Sequence, residues 1–151
     1  MSDTPFVLPG VTPHLTIADG KAADAIAFYA TAFGATEQSR HLEENGTRLM
    51  HAHLTVNDGG LMLNDHFPEM CGGAPAEKPA SVTLHLEVDD ADHWWDRAVA
   101  AGAAIRFRLT DCAHHVVGGV RRLPADLRGA ADAEIGAGPL RENEGGRREN
   151  K

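Results

Sequence analysis

Cysteine, basic residues and long apolar runs are scarce in this chain, and each scarcity excludes a class of protein. The two cysteines, Cys71 and Cys112, lie far apart and show no CxxC spacing, so we expect reduced thiols rather than a disulfide scaffold. No apolar stretch approaches the roughly 18 residues of a membrane-spanning helix. The start MSDTPFVLPG also lacks a basic segment followed by an apolar run. These absences predict a soluble, cytoplasmic protein that does not act at a membrane.

The shortage of basic residues excludes a second group of partners. Lysine and arginine total 14 against 22 aspartate and glutamate, which gives a formal net charge of −8. An acidic chain of this kind is a poor match for nucleic acid or for an anionic membrane surface. With 151 residues the chain has the size of one domain. We therefore expect a small molecule or another protein, rather than nucleic acid or membrane, as its partner.

Histidine is abundant by comparison, with nine copies, and two of them stand in a repeated segment. The segments VTPHLTI at 11–17 and VTLHLEV at 82–88 place His14 and His85 at matching positions. An acidic turn, an alanine-rich stretch and a Gly-Ala pair follow each copy. This repeat predicts two related modules about a pseudo-twofold axis, with the two imidazoles brought towards a shared centre.

The sequence of the first module predicts the element order β-α-β-β-β. Apolar residues recur at helical intervals up to Phe33, and Gly34 supplies the stop. Asn45-Gly46 is a strong hairpin signal, and a second turn follows at 57–60. The predicted elements are a strand at 11–17, a helix at 21–33 and strands at 36–42, 48–56 and 61–64.

The second module is predicted to begin the same way and then to lose its pattern. A linker rich in Pro, Gly and Ala at 65–80 leads into a strand at 81–88, a helix at 91–101 and a strand at 103–109. Beyond Thr110 the apolar periodicity decays, and the end is rich in charge. We expect one domain over 1–123, with module one at 8–66 and module two at 80–123, and a disordered tail at 124–151.

Strand alternation assigns a face to each side chain, because residues two apart share one side of a sheet. The apolar sets are expected to pack on the helices; they are Val11, Leu15 and Ile17, then Met50, Ala52, Leu54 and Val56, then Leu61 and Leu63, then Val82, Leu84, Leu86 and Val88. The opposite face is polar. It predicts a cup lined by His14, His51, His53, Asn64, His85 and Glu87.

Three segments carry a family resemblance: FYATAFGA, RLMHAHLTV and GLMLNDHFPE. They resemble the vicinal oxygen chelate superfamily, in its PhnB-like branch of glyoxalase and bleomycin-resistance proteins, over roughly residues 8–110. The resemblance implies an α+β fold in which two βαβββ modules form a cupped mixed sheet. It also implies a divalent metal (Zn, Ni, Mn or Fe) on His14 and His85, with Met62 or Asn64 on a later strand. The stretch from Thr110 to Gly136 lacks the family's Trp-Gly and Tyr-Gly pattern, so the second module is expected to be incomplete or divergent.

Two classes of function follow from this resemblance. In the first, a metal-dependent lyase, isomerase or dioxygenase uses Glu87 to move a proton. His51, His53, Met62 and Asn64 then bind the substrate. In the second, the cup holds an apolar or cationic small molecule, such as an antibiotic, without chemistry. The histidines are equally compatible with a plain polar lining. The adjacent Trp94 and Trp95 favour a homodimer that covers at least one of them.

Overall fold

The computed structural model describes residues 10–76, 82–112, 115–121 and 132–137. The first module has the predicted order β-α-β-β-β. Its elements are β1 (His14–Ile17), α1 (Ala22–Phe33), β2 (Thr36–Leu42), β3 (Leu49–Val56) and β4 (Gly59–Asp65), with short 3₁₀ turns at Ala18–Gly20 and Pro68–Met70. Asn57 and Asp58 both have positive φ between β3 and β4, as a tight hairpin requires.

The second module repeats this order in full. Its elements are β5 (Thr83–Val88), α2 (Ala91–Ala100), β6 (Ala104–Cys112), β7 (His115–Arg121) and β8 (Asp132–Ala137). None of the helices in the described part of the chain is long and apolar enough to cross a membrane.

The two modules form two four-stranded sheets with the same strand order. The first sheet runs β1-β4-β3-β2 and the second runs β5-β8-β7-β6. In each sheet the first pair is parallel and the other pairs are antiparallel. The predicted fold class, an α+β fold of two βαβββ modules with mixed strand pairing, is therefore confirmed.

The disordered tail was expected to begin at residue 124, and this is wrong for residues 132–137. Strand β8 lies between β5 and β7 and pairs with both. Its Ala133 and Ile135 are buried and Ala137 is half-buried, so apolar residues two apart face the core. This short alternation inside an alanine- and glycine-rich stretch is a weak sequence signal. The remainder of the expected tail lies outside the described residues, and the proposed domain boundaries stay predictions.

Helix α1 forms because its apolar residues lie on one side and its ends are satisfied. Ile26, Tyr29 and Phe33 are buried on that side. Gly34 ends the helix in the left-handed region at φ 66°, where glycine avoids the strain of a side chain. At the other end, the buried carboxylate of Asp65 accepts the Ala22 backbone N–H at 2.8 Å.

The modules share one hydrophobic core and are joined by polar contacts at their helices and strand ends. Arg97 of α2 donates from Nε to the Thr31 carbonyl oxygen at 2.8 Å and from Nη2 to the Ala30 carbonyl oxygen at 3.1 Å. It therefore satisfies acceptors in the last turn of α1. Asn57, in the β3–β4 turn, donates to the Glu87 carbonyl oxygen at the end of β5.

Three residues of the predicted core are exposed instead. Val11 is 98% exposed because pairing of β1 with β4 starts only at His14 and Met62. Val82 likewise precedes the first paired residue of β5. Met50 is exposed and Leu49 is buried, because a register shift next to the Leu42–Leu49 pair changes the alternation at the start of β3.

Candidate functional site

The polar face of the first sheet brings together five of the predicted site residues. The register places His14, Met62 and His53 side by side across β1, β4 and β3. His51 and Asn64 lie two residues further along their strands and so share this face. We call the surface formed by His14, His41, His51, His53, Met62 and Asn64 the histidine face.

Four imidazoles form a connected cluster on the histidine face. The His51 ring lies 4.5 Å from the His53 ring, 5.4 Å from the His14 ring and 6.5 Å from the His41 ring, measured between centroids. His51 and His53 are half-buried, whereas His14 and His41 are exposed. The cluster therefore has a half-buried centre and an accessible rim.

Sequence reasoning missed His41, because a register shift decides its face. A turn at Asn45-Gly46 places Leu42 opposite Leu49, as observed, and without a shift it would place His41 opposite Met50. The register shift between His41 and Leu42 pairs His41 with His51 instead, and so brings His41 to the histidine face.

Asn64 is oriented by its neighbours. Its side-chain oxygen accepts the Thr16 hydroxyl at 3.1 Å, and its side-chain nitrogen donates to the Asp65 carbonyl oxygen at 2.7 Å. Both ends of the amide are thereby engaged, which fixes the side chain beside Met62. Asn64 therefore contributes an ordered polar edge to the histidine face.

Burial lowers the pKa of His51, and the positive charges that His53, His14 and His41 can carry lower it further. An imidazole in the unfolded chain titrates near 6.5. On acidification the unfolded chain therefore takes up a proton before folded His51 does. This difference in pKa lowers the free energy of unfolding as the pH falls through about 6.5. The loss stops growing once the pH is below the pKa of His51 in the folded protein.

We expect the free energy of unfolding of the wild-type protein to fall between pH 7.5 and pH 5.5, and the variant His51→Gln to show a smaller fall. Urea unfolding at both pH values measures the difference. An equal fall in the two proteins would contradict the assignment of this effect to His51.

His85 and Glu87 lie on β5 in the second module. His85 Nε2 is 3.1 Å from a carboxylate oxygen of Glu87, and both side chains are exposed. The backbone register of the parallel β5–β8 pair places Glu134 beside His85. Glu134 is a position that sequence reasoning missed, because the strand that carries it was not predicted.

The divalent metal that the sequence resemblance implies has no complete site among the described side chains. No group of three or more histidine, cysteine, aspartate or glutamate side chains within the described residues could hold an ion. The assignment of His14 and His85 as metal ligands therefore stays a prediction. The substrate-binding roles of His51, His53, Met62 and Asn64, and the catalytic role of Glu87, also stay predictions.

The chain thus folds into two βαβββ modules, and one sheet face of the first module is polar and rich in histidine. Residues 12–121 match the model of the Glyoxalase/Bleomycin resistance protein/Dioxygenase superfamily. The chain therefore belongs to this superfamily. Its members include enzymes and binding proteins.

Relatives and solved structures agree with this membership. The uncharacterized protein Mb0911c of Mycobacterium bovis is 44% identical over 110 residues, which cover 70% of this chain and 70% of that protein. Protein PA1353 of Pseudomonas aeruginosa aligns with a TM-score of 0.62 and 20% identity, covering 85% of this chain and 96% of that one. The PhnB protein of Bacillus cereus aligns with a TM-score of 0.55 and 17% identity, covering 84% and 98%. These two structural likenesses show a shared fold.

Proposed function

We propose that this protein binds a small molecule on the histidine face, in a cup that the second module completes with His85 and Glu87. The observation that carries the proposal is the contact of four imidazole rings beside Met62 and Asn64 on one sheet face. Small-molecule sites combine apolar surface with a few convergent polar groups. The imidazoles supply hydrogen-bonding nitrogens, and Met62 supplies an adaptable apolar contact.

A fragment library screened by protein-observed NMR tests this function. We expect bound fragments to shift the Met62 methyl signal and the Asn64 side-chain amide signals. The variant His51→Ala should weaken these fragments about tenfold, which corresponds to about 1.4 kcal/mol. The matched control His93→Ala, at an exposed position on α2, should keep wild-type affinity. Fragment binding that leaves the Met62 and Asn64 signals unmoved would refute the proposal.

A metal-dependent lyase, isomerase or dioxygenase is the second candidate function. The observation that favours it is the exposed His85 imidazole, 3.1 Å from a carboxylate oxygen of Glu87, since imidazole and carboxylate groups are common metal ligands. In this candidate, His14 and His85 hold a divalent ion that polarises a substrate oxygen. Glu87, which contacts His85, is then the candidate base.

Metal analysis of untagged protein separates the two candidates. The protein is incubated with Zn²⁺, Ni²⁺ or Mn²⁺, desalted at pH 7.5 and measured by mass spectrometry. Close to one bound ion per chain, lost in His14→Ala and in His85→Ala but kept in His93→Ala, would support the enzyme. A wild-type protein that retains no ion leaves the non-catalytic binding protein.

We also infer a homodimer, which two exposed apolar side chains on an edge strand support. Ile105 and Phe107 on β6 are 44% and 41% exposed, and β6 ends the strand order of its sheet. Trp94 and Trp95 are half-buried and pack against the core, so they contribute less to this argument than the sequence suggested. We expect light scattering at micromolar concentration to give twice the chain mass of 16.1 kDa.

Substitution at β6 tests where the subunits meet. The double variant Ile105→Lys, Phe107→Lys should give the mass of one chain, because paired charges oppose burial of this edge. The control Met70→Lys, at another exposed apolar side chain, should stay dimeric. A wild-type protein with the mass of one chain would refute the dimer.

A further inference from the structure

A half-open cavity of about 260 Å³ lies between the two modules. Its apolar walls come from α1, β4, β5 and β8. They include Tyr29, Phe33, Leu61, Leu84, Leu86 and Ala133. All but Leu84 of these six residues belong to the buried core. The cavity therefore extends from the shared core towards the surface and differs in composition from the histidine face.

Local features of both modules leave this space open. Strand β1 starts at His14 opposite Met62, so it does not extend alongside Gly59, Gly60 and Leu61 at the start of β4. The two glycines have no side chains to fill the gap, and Ala133 is small. The cavity is thus a consequence of strand lengths and residue sizes in two separate segments of the chain.

A hydrogen bond spans the modules close to the cavity. The side-chain nitrogen of Asn57 donates to the Glu87 carbonyl oxygen at 2.5 Å, next to the cavity residues Val56 and Leu86. This bond ties the β3–β4 turn to β5 beside the cavity. The walls are therefore held at a defined separation.

The opening carries polar groups. Thr83 and His85 contribute to the lining on β5, and their side chains are exposed. Strand β5 ends the strand order of its sheet in the described part of the chain, so one of its edges faces away from β8. A ligand in the cavity can thus place a ring among apolar walls and a hydrogen-bonding group at the opening.

We propose that this inter-module cavity binds a small uncharged molecule with one aromatic ring and a single hydroxyl group. Cavities of about 150 Å³ with aliphatic and aromatic walls accommodate benzene, and the present cavity leaves room for substituents. Burial of an uncharged ring avoids the cost of desolvating a charge. The cavity shares no residue with the histidine face, and it has only His85, at its opening, in common with the proposed cup. The inference does not depend on the proposed function.

Titration with p-cresol tests the site. We expect saturable NMR shifts of the Leu61, Leu84, Leu86 and Ala133 methyl signals, with a dissociation constant in the millimolar range. The variant Leu84→Trp fills the cavity and should weaken p-cresol at least tenfold. The control Val82→Trp adds the same side chain at an exposed position on the same segment and should change the affinity less than twofold.

A second cavity-filling variant keeps the test decisive. Ala133→Leu fills the cavity from β8 and should also weaken p-cresol at least tenfold, which covers the case in which Leu84→Trp does not fold. Absence of saturable shifts, or wild-type affinity in a folded cavity-filling variant, would overturn the inference. Shifts confined to the Met62 methyl and Asn64 amide would overturn it as well, while they would support binding on the histidine face.

Discussion

Replacing Asp65 by alanine is expected to lower the free energy of unfolding by about 4 kcal/mol. The Asp65 side chain is only 2% exposed, and its two oxygens accept separate backbone N–H groups. One belongs to Ala22 at the start of α1, at 2.8 Å, and the other to Leu49 at the start of β3, at 2.7 Å. Hydrogen bonds to a charged group contribute about 1.5 to 3 kcal/mol each, and removal of the acceptor leaves both donors buried.

The position of Asp65 at the helix start adds to this effect, because a negative charge stabilises the N-terminal end of a helix. Urea unfolding at pH 7 measures the loss. Asp24→Ala is the matched control: Asp24 is also in the first turn of α1, but it is exposed and pairs with Lys21 at 3.3 Å. We expect the control to lose less than about 1 kcal/mol. Equal losses in the two variants would show that Asp65 does not join α1 to β3.

Replacing Ile135 by alanine is expected to lower the free energy of unfolding by about 3 kcal/mol. Ile135 has no exposed surface and stands on β8 between β5 and β7, where its backbone pairs with Leu86 and Gly118. Truncating a fully buried isoleucine removes apolar contacts and leaves a cavity in the second sheet. The same urea titration measures this loss.

The comparison with Ile105→Ala decides whether residues 132–137 form a packed central strand. Ile105 is 44% exposed on the edge strand β6, so its truncation should lose less than about 1 kcal/mol. An Ile135 variant no less stable than the Ile105 variant would contradict the central position of β8 and restore the expectation of a disordered tail.

The order of elements in the first module could be predicted because its signals are local. The helical spacing of Ile26, Tyr29 and Phe33 and the glycine after them define α1 from adjacent residues alone. The turns at Asn45-Gly46 and Asn57-Asp58 likewise depend on backbone conformations that few residues adopt. The repeat around His14 and His85 added the second module by analogy.

The side of the sheet that each side chain faces was predicted less reliably than the order of elements. That side depends on how a strand pairs with its neighbours. Alternation placed Leu54, Leu61 and Leu63 in the core correctly. It failed at Met50, where a register shift exchanged the roles of two neighbours, and at Val11, which precedes the paired residues. A shift of one residue reverses every side chain that follows it, and such a shift leaves no mark in the composition of the strand.

The sequence by itself determined the element order of the first module, the start of a related second module and five of the six residues of the histidine face, because repeats, turn residues and alternation involve neighbouring positions. Three motif-bearing segments also determined the resemblance to the superfamily. Only the tertiary structure decided the position of β8, the place of His41 beside His51, the bridge from Asp65 to α1 and β3, and the cavity between the modules. Each of these depends on contacts between residues distant in the chain. Such contacts follow from strand register and from the space that neighbouring side chains leave, which no local pattern specifies.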